Sequence, residues 1–192
     1  MNETQTTARP VRERLIDCAS ELFYAEGIRA ISADRIISGV GTTKATFYRH
    51  FPTKDDLVLA YLHGMAAGER AGITQATATP DAQEALRGVI AVLATSSCRP
   101  GFRGCPFINA GAEYPDATHP VRQFVDEQRR WWKDSFRTLA ERLGVAAGAE
   151  ADSAADQIMM LRDGALVAGY LDDAARVEVS LTKAITAVVS PH

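Results

Sequence analysis

The segment from residue 32 to residue 54 has the residue types and spacing of a DNA-reading motif. Ser32 is a suitable N-cap, because its hydroxyl can accept hydrogen bonds from the free N–H groups at a helix start. The pattern after it predicts a helix over 33–40. Gly41 stands where that helix must stop and turn, a position that often needs a positive φ. A second short helix over 44–50 completes a helix-turn-helix, whose second helix lies in the DNA major groove.

The second of these helices has a polar face that a buried helix would not carry. Thr42 or Thr43 is placed to cap it. Phe47 and Phe51, four residues apart, supply its inward anchors. The alternative is that two packed helices merely happen to be joined by a glycine turn. The polar side chains argue against it, and they are Lys44, Thr46, Tyr48, Arg49 and His50.

Helical periodicity continues through the rest of the chain, without convincing β-alternation or internal repeats. A first helix is predicted from Pro10 to Gly27, and a fourth begins at Thr53 with Asp56 as its capping partner. A Thr/Ala-rich stretch follows Ile73. Further helices are predicted over about 81–97, 106–112, 120–143, 151–171 and 176–189. The predicted fold class is all-α.

Length, charge and cysteines narrow the class of protein. The chain has 192 residues and a net charge of −3, which alone says little about DNA. Residues 1–54 hold 8 Lys/Arg against 6 Asp/Glu, whereas residues 55–192 hold 13 against 18. The N-terminal third is therefore the part suited to phosphate. No signal peptide or membrane-spanning run is recognisable, which predicts a cytoplasmic protein with no membrane partner.

The run KATFYRHFPTKDDL closely resembles the signature of the TetR family of bacterial transcriptional regulators, in which AGVSKATLYRHFPSKEEL is usual. The detailed resemblance covers residues 9 to about 62, and the rest resembles the family in length and helical pattern. Ile37, Gly39 and Thr42 depart from the usual pattern, and Gly39 weakens its helix by about 1 kcal/mol relative to Ala. The resemblance implies a three-helix DNA-binding domain over 1–54 and a larger helical effector-binding and dimerisation domain over 55–192.

The resemblance also implies which residues contact DNA. Thr43, Lys44, Thr46 and Tyr48 would face the groove, where their polar groups can reach phosphates or base edges. His50 and Lys54 would hold backbone phosphates. Ser32 would aim the dipole of the first helix at a phosphate. For Ser32 and Thr43, a purely structural role as helix N-caps is as well supported as contact with DNA.

Aromatic side chains concentrate in the segment 102–132, which suggests a small-molecule pocket. In the family the larger domain binds an inducer, and an ordinary helical core is the alternative reading. Asn109, Glu113 and His119 are candidate polar contacts, although each is more often a cap or a solvated group. The predicted lining is Phe102, Phe107, Asn109, Tyr114, Phe124, Trp131 and Trp132.

The last two helices carry apolar stripes that the resemblance assigns to a four-helix homodimer interface. Small residues such as Gly164 would permit close helix approach. The alternative is that these stripes face the protomer's own core, and a mixture of both is expected. The predicted interface residues are Ile158, Leu161, Ala165, Ala168, Leu181 and Ile185.

Few other residues suggest a chemical function. The chain has three cysteines and no recognisable secretion signal, which favours reduced thiols over disulfide bonds. Cys98 and Cys105 flank an Arg/Gly loop, and the nearby arginines would allow a redox switch. The favoured alternative is that the two cysteines are simply small residues near a loop. His63, Cys98, Cys105 and His119 lack metal-ligand spacing, and no nucleophile–base pair or phosphate loop supports an enzyme.

Together these patterns predict a regulator, most simply a repressor that an unknown small-molecule effector releases from a double-stranded DNA operator. The prediction includes no catalysis, no cofactor and no metal. A TetR-like activator, a thiol-sensing regulator and, far behind, a helical enzyme or carrier are the alternatives. The effector, the operator and the regulated genes are not readable from the residues.

Overall fold

The computed structural model describes residues 9–97, 101–172 and 176–190, and all regular structure within them is α-helical. This confirms the predicted all-α class. The helices are α1 Val11–Glu26, α2 Ala33–Val40, α3 Lys44–His50, α4 Lys54–Thr77, α5 Ala82–Ser97, α6 Pro106–Glu113, α7 Pro120–Arg142, α8 Ala149–Leu171 and α9 Val177–Val189.

Local capping chemistry explains where several helices begin. Thr53 and Asp56 form a capping box at the start of α4: the Thr53 N–H donates to Asp56 Oδ2 at 2.8 Å, and the Asp56 N–H donates to Thr53 Oγ1 at 3.1 Å. Asp81 accepts from the N–H groups of Gln83 and Glu84 before α5, and these bonds lower the pKa of its carboxyl. The predicted starts of α4 and α5 are thereby confirmed.

The chain forms two compact units that do not follow simple chain order. The head unit comprises Met1–Ala66 and Pro106–Val125, and the body unit comprises Ala67–Cys105 and Asp126–His192. α6 and the first residues of α7 therefore belong to the same unit as the helix-turn-helix. α4 continues into the Thr/Ala-rich stretch and ends at Thr77. The Thr77 hydroxyl donates a hydrogen bond to the Ile73 carbonyl at 2.8 Å.

In the head unit, α1 packs against α2 and α3 around a small apolar core. Leu15, Ile36 and Phe47 are fully buried, and the Phe23 ring meets the Tyr61 ring edge-on with centroids 5.8 Å apart. Burying each such side chain contributes about 1.5–3 kcal/mol. This core fixes the two helices of the motif in one arrangement.

In the body unit, α5, α8 and α9 pack against one another, and α7 adds large side chains to the same core. Trp132 and Phe136 of α7 lie 5.2 Å apart between ring centroids. Four residues of α5 at helical spacing are buried here, namely Leu86, Val89, Ile90 and Leu93.

Candidate nucleic-acid interface

The turn between α2 and α3 has the geometry that its residues predict. The Ser32 hydroxyl accepts from the Arg35 N–H at 3.3 Å and caps α2. Gly41 ends α2 in the left-handed region at φ 67°, and the following Thr42 N–H donates back to the Ile37 carbonyl at 3.2 Å. Backbone bonds of this kind satisfy the last carbonyls of a helix. The motif is thus held by its own local chemistry.

The recognition helix α3 is anchored on one face only. Thr43 caps it, because its Oγ1 accepts from the Thr46 N–H at 3.2 Å. The Phe47 and Phe51 rings are buried with centroids 6.2 Å apart, which confirms the predicted anchors. The opposite face remains available to solvent.

The exposed face of α3 presents hydroxyls, a phenol and an ammonium. Tyr48 is 48% exposed, and its ring meets Phe47 edge-on with centroids 5.1 Å apart. Lys44 Nζ lies 2.9 Å from Asp34 on α2, and both side chains are largely exposed. This carboxylate raises the pKa of Lys44. The Thr46 hydroxyl oxygen accepts a hydrogen bond from the Thr43 hydroxyl at 3.0 Å and another from the Arg49 guanidinium at 3.2 Å.

The two predicted phosphate ligands differ in their surroundings. His50 is half-buried at the end of α3. Lys54 donates from Nζ to the Ile28 carbonyl at 2.5 Å and lies 5.7 Å from the centre of the Phe23 ring. Burial lowers the pKa of this lysine. Lys54 therefore supports the head's own backbone, and only its remaining N–H groups are free to meet a phosphate.

Sequence reasoning missed three arginine contacts that organise the head. Arg35 binds Glu26 through two bonds of 2.6 Å, which lower the pKa of Glu26. Arg14 donates to the Val40 carbonyl at the end of α2. The Arg12 guanidinium lies 5.1 Å from the centre of the Phe51 ring. No local sequence signal marks these pairs, because their partners lie on other helices or loops.

The predicted pocket residues fall in both units. Phe107, Asn109, Tyr114 and Phe124 belong to the head unit, and Phe102, Trp131 and Trp132 belong to the body unit. In the head unit the Phe107 and Phe124 rings are 6.4 Å apart, and Asn109 is exposed. In the body unit the Trp131 and Trp132 rings are 5.3 Å apart. A pocket that uses them stays a prediction.

A buried polar cluster surrounds Arg162 inside the body unit. The guanidinium is 2% exposed, lies 4.5 Å from the centre of the Trp132 ring, and donates to Cys105 Sγ at 3.7 Å. Glu69 lies 3.6 Å from it and accepts from Trp132 Nε1 at 2.8 Å. Burial alone would lower the pKa of Arg162, but Cys105, Glu69 and Asp163 raise it. Among the residues that the structure describes, none is a hydrogen-bond partner of Arg162 Nε.

The six predicted interface residues fall into two overlapping sets, because Ala165 and Leu181 are buried in the body unit's core and also line a groove. Ile158, Leu181 and Ile185 are buried in the body unit's own core, as the alternative reading held. Four of the six line an open groove of about 550 Å³ between α8 and α9, namely Leu161, Ala165, Ala168 and Leu181. Sequence reasoning did not single out three large apolar side chains that are exposed on α8, namely Met160, Val167 and Leu171.

The described part of the chain shows neither a metal-binding cluster nor a membrane-spanning helix. Residues 9–97, 101–172 and 176–190 contain no group of three His, Cys, Asp or Glu side chains placed to hold a metal ion. Over the same ranges no helix is long and apolar enough to cross a bilayer. Cys98 of the predicted redox pair lies outside the described residues, and Cys105 is a buried free thiol.

Comparison with known proteins agrees with this geometry. A family model described as bacterial regulatory proteins of the tetR family matches residues 15–61, and one described as the tetracyclin repressor-like C-terminal domain matches residues 82–186. The TetR-family transcriptional regulator SCO4454 from Streptomyces coelicolor is 40% identical, covers 93% of this chain and 94% of its own, and has a TM-score of 0.88.

Two curated relatives are more distant. The transcriptional regulator LmrA of Bacillus subtilis (strain 168) is 23% identical over 81% of this chain and 85% of its own length. The transcriptional activator FasR of Mycolicibacterium smegmatis is 34% identical over 41% of this chain and 36% of its own.

The fold and the exposed recognition helix define a helix-turn-helix DNA-binding transcriptional regulator. The chain belongs to the TetR family. Its partner is therefore double-stranded DNA, and the family is one of regulators rather than catalysts.

Proposed function

We propose that the chain is a repressor that binds a palindromic operator as a homodimer and is released by a small-molecule ligand. In this proposal residues 1–54 read DNA, and residues 55–192 bind the ligand and a second copy. The protein would act in the cytoplasm, where bacterial operators lie.

The exposed polar face of α3 is the observation that carries this proposal. Phe47 holds one face of the helix, while Lys44 and Tyr48 project from the other side into solvent. A helix of seven residues has room for few base contacts. Because base contacts specify and phosphate contacts position, one head alone would bind weakly and with little selectivity. Two heads on a two-fold operator would supply both the affinity and the selectivity that one head lacks.

The groove between α8 and α9 supports pairing with a second copy. Met160, which lines the groove, is 66% exposed, and Leu171 on the same helix is 68% exposed. Contiguous exposed apolar surface of this kind marks an interaction site in soluble proteins. A symmetric dimer would place the same patch of both protomers face to face.

A ligand would release DNA only through different affinities for two conformers of the protein. Coupling free energies of about 1–3 kcal/mol correspond to about 5–150-fold changes in operator affinity. The predicted aromatic lining is the proposed site, and the chemistry of its ligand remains to be found by screening.

A DNA-shift titration with two variants tests the proposal. Lys44→Ala and Tyr48→Ala are expected to weaken operator binding strongly while the protein stays folded, since neither side chain is buried. Lys133→Ala is the matched control, because Lys133 forms a similar exposed pair with Asp156 in the body unit. Wild-type affinity in both head variants would contradict the assignment. A promoter–reporter fusion then gives the sign of regulation, since one relative is an activator.

Thiol sensing is the second candidate, and the contact between Cys105 and the Arg162 guanidinium favours it. A neighbouring cation stabilises a thiolate, which is the reactive form of cysteine. Hydrogen peroxide would oxidise the thiol to a sulfenic acid and be reduced to water. If this candidate holds, peroxide lowers operator affinity in the wild type and in Cys18→Ser, but not in Cys105→Ser. An equal response in Cys105→Ser would contradict it.

A further inference from the structure

The carboxylate of Glu113, the last residue of α6, binds the loop between α1 and α2. The Ile28 N–H donates to Glu113 Oε1 at 2.8 Å, and the Arg29 N–H donates to Oε2 at 2.6 Å. Ile28 and Glu113 are 85 residues apart in the chain. Gly27 supplies the positive φ of 93° that turns the chain here, a conformation that residues with a Cβ rarely adopt. Charge-assisted bonds of this kind are about twice as strong as neutral ones.

The same loop is held from its other side by Lys54. Its Nζ donates to the Ile28 carbonyl at 2.5 Å, so both backbone groups of Ile28 are bound by charged side chains. The Ile28 side chain is 3% exposed and belongs to the core of the head unit. The loop is thus a fixed part of the head, although its six residues, 27–32, are not helical.

The residues that follow Glu113 form a second attachment within the head unit. The Tyr114 hydroxyl donates to Asp55 Oδ1 at 2.8 Å, and His119 Nε2 lies 3.3 Å from Asp55 Oδ2. Asp55 belongs to the first turn of α4. Burial and the Asp55 carboxylate raise the pKa of Tyr114, so its hydroxyl remains a donor. The last residue of α6 therefore binds the α1–α2 loop, and the residues after α6 bind the start of α4.

We propose that Glu113 is a positioning residue for DNA binding. Its carboxylate fixes Ile28 and Arg29, and the chain from Arg29 reaches Ser32, the N-cap of α2, after two residues. α2 in turn sets the turn at Gly41 and the direction of α3. The DNA-reading head is accordingly completed by a helix encoded far downstream, and the residues of the N-terminal motif alone do not define it. Glu113 itself carries a negative charge and makes no contact with DNA in this role.

Variants of the full chain test this role against direct contact and against general destabilisation. Glu113→Gln keeps the shape but leaves one carbonyl for two N–H donors, and Glu113→Ala removes both acceptors. Glu141→Gln makes the same change of charge at an exposed position of α7 and is the control. The probe is the duplex that the wild-type protein selects from a random-sequence pool. Affinity, its salt dependence, amide exchange and thermal unfolding are measured for each variant.

The expected result is a graded loss. Glu113→Ala weakens binding about tenfold, which corresponds to about 1.4 kcal/mol, and Glu113→Gln weakens it less. The Ile28 and Arg29 amides exchange faster, whereas the slope of log affinity against log salt is unchanged because no phosphate contact is lost. The melting temperature and the Glu141→Gln control stay at the wild-type level.

Three results would overturn the positioning role: wild-type affinity in Glu113→Ala, a smaller salt slope, or faster exchange throughout the protein with a lower melting temperature. If Glu113→Ala fails to fold, Glu113→Gln alone decides between the same outcomes. The role rests on DNA binding by this chain. A wild type that selects no duplex would contradict the proposed function and this role together, whereas the other outcomes contradict this role alone.

Discussion

Lys44 reaches the DNA-facing surface with a counter-ion already beside it. Asp34 lies 2.9 Å from its ammonium, and both side chains are more than 60% exposed. Exposed ion pairs contribute only about 0.2–1 kcal/mol, so a phosphate can displace the carboxylate. The carboxylate nevertheless repels the DNA backbone. We infer that Asp34 moderates the affinity of the head for any duplex.

Asp34→Asn is therefore expected to raise affinity for operator and for unrelated DNA alike. Releasing one lysine for a phosphate should steepen the slope of log affinity against log salt by about 0.9. Titrations at several salt concentrations measure both quantities. Asp156→Asn is the control, because it breaks the comparable exposed pair with Lys133 in the body unit. Unchanged affinity and salt slope in Asp34→Asn would show that Asp34 does not compete with phosphate for Lys44.

At the scale of elements, Gly39 shows how packing overrides helix propensity. Propensity alone predicts that Ala at this position stabilises α2 by about 1 kcal/mol. However, a Cβ at Gly39 would lie 3.0 Å from Cys18 Sγ on α1. The close approach of these two helices explains why a glycine occupies the middle of a short helix.

A double-mutant cycle tests this explanation. Gly39→Ala alone is expected to give no gain in the free energy of unfolding, because Cys18 must shift. In a Cys18→Ala background the same substitution should recover a gain of about 1 kcal/mol. Urea unfolding of the four proteins measures the coupling. Equal effects of Gly39→Ala in both backgrounds would rule out the contact as the cause.

The elements differ in how far sequence alone predicted them. The turn from Ser32 to Thr43 was predictable, because capping bonds and a left-handed glycine act within a few residues. The bond from Glu113 to Ile28 was not, since no local pattern links positions 85 residues apart. For the same reason the cluster around Arg162, whose partners come from several helices, had no signal in the sequence. Glu113 was noted only as a candidate polar contact, and its bonds to the loop N–H groups of Ile28 and Arg29 were not predicted.

At the scale of the whole molecule, the exposed face of α8 is the surface on which the proposed dimer depends. Met160, Gly164, Val167, Ala168 and Leu171 share one face of the helix by their spacing. Several buried stripe residues serve the protomer's core instead, so an apolar stripe in the sequence could not separate the two roles. Exposure in the folded protomer does separate the two roles. Gly164 is the smallest residue of the exposed face.

Gly164 provides a test that distinguishes pairing from protomer stability. A Cβ at this position meets nothing within 4 Å, so a larger side chain fits the protomer. Gly164→Leu should even favour α8, since leucine exceeds glycine in helix propensity by about 0.8–1 kcal/mol. A second copy packed closely against this face would instead be pushed away. The expected result is a shift from dimer to monomer in sedimentation, with a matching loss of operator affinity.

Gly68→Leu is the matched control, because Gly68 is also an exposed helical glycine with open space around it and lies on α4. It should share any gain in helix stability while leaving the dimer and operator binding intact. If Gly164→Leu remains a dimer at the wild-type concentration and binds operator normally, the second copy must dock elsewhere, because no close helix pairing tolerates a leucine at its point of nearest approach.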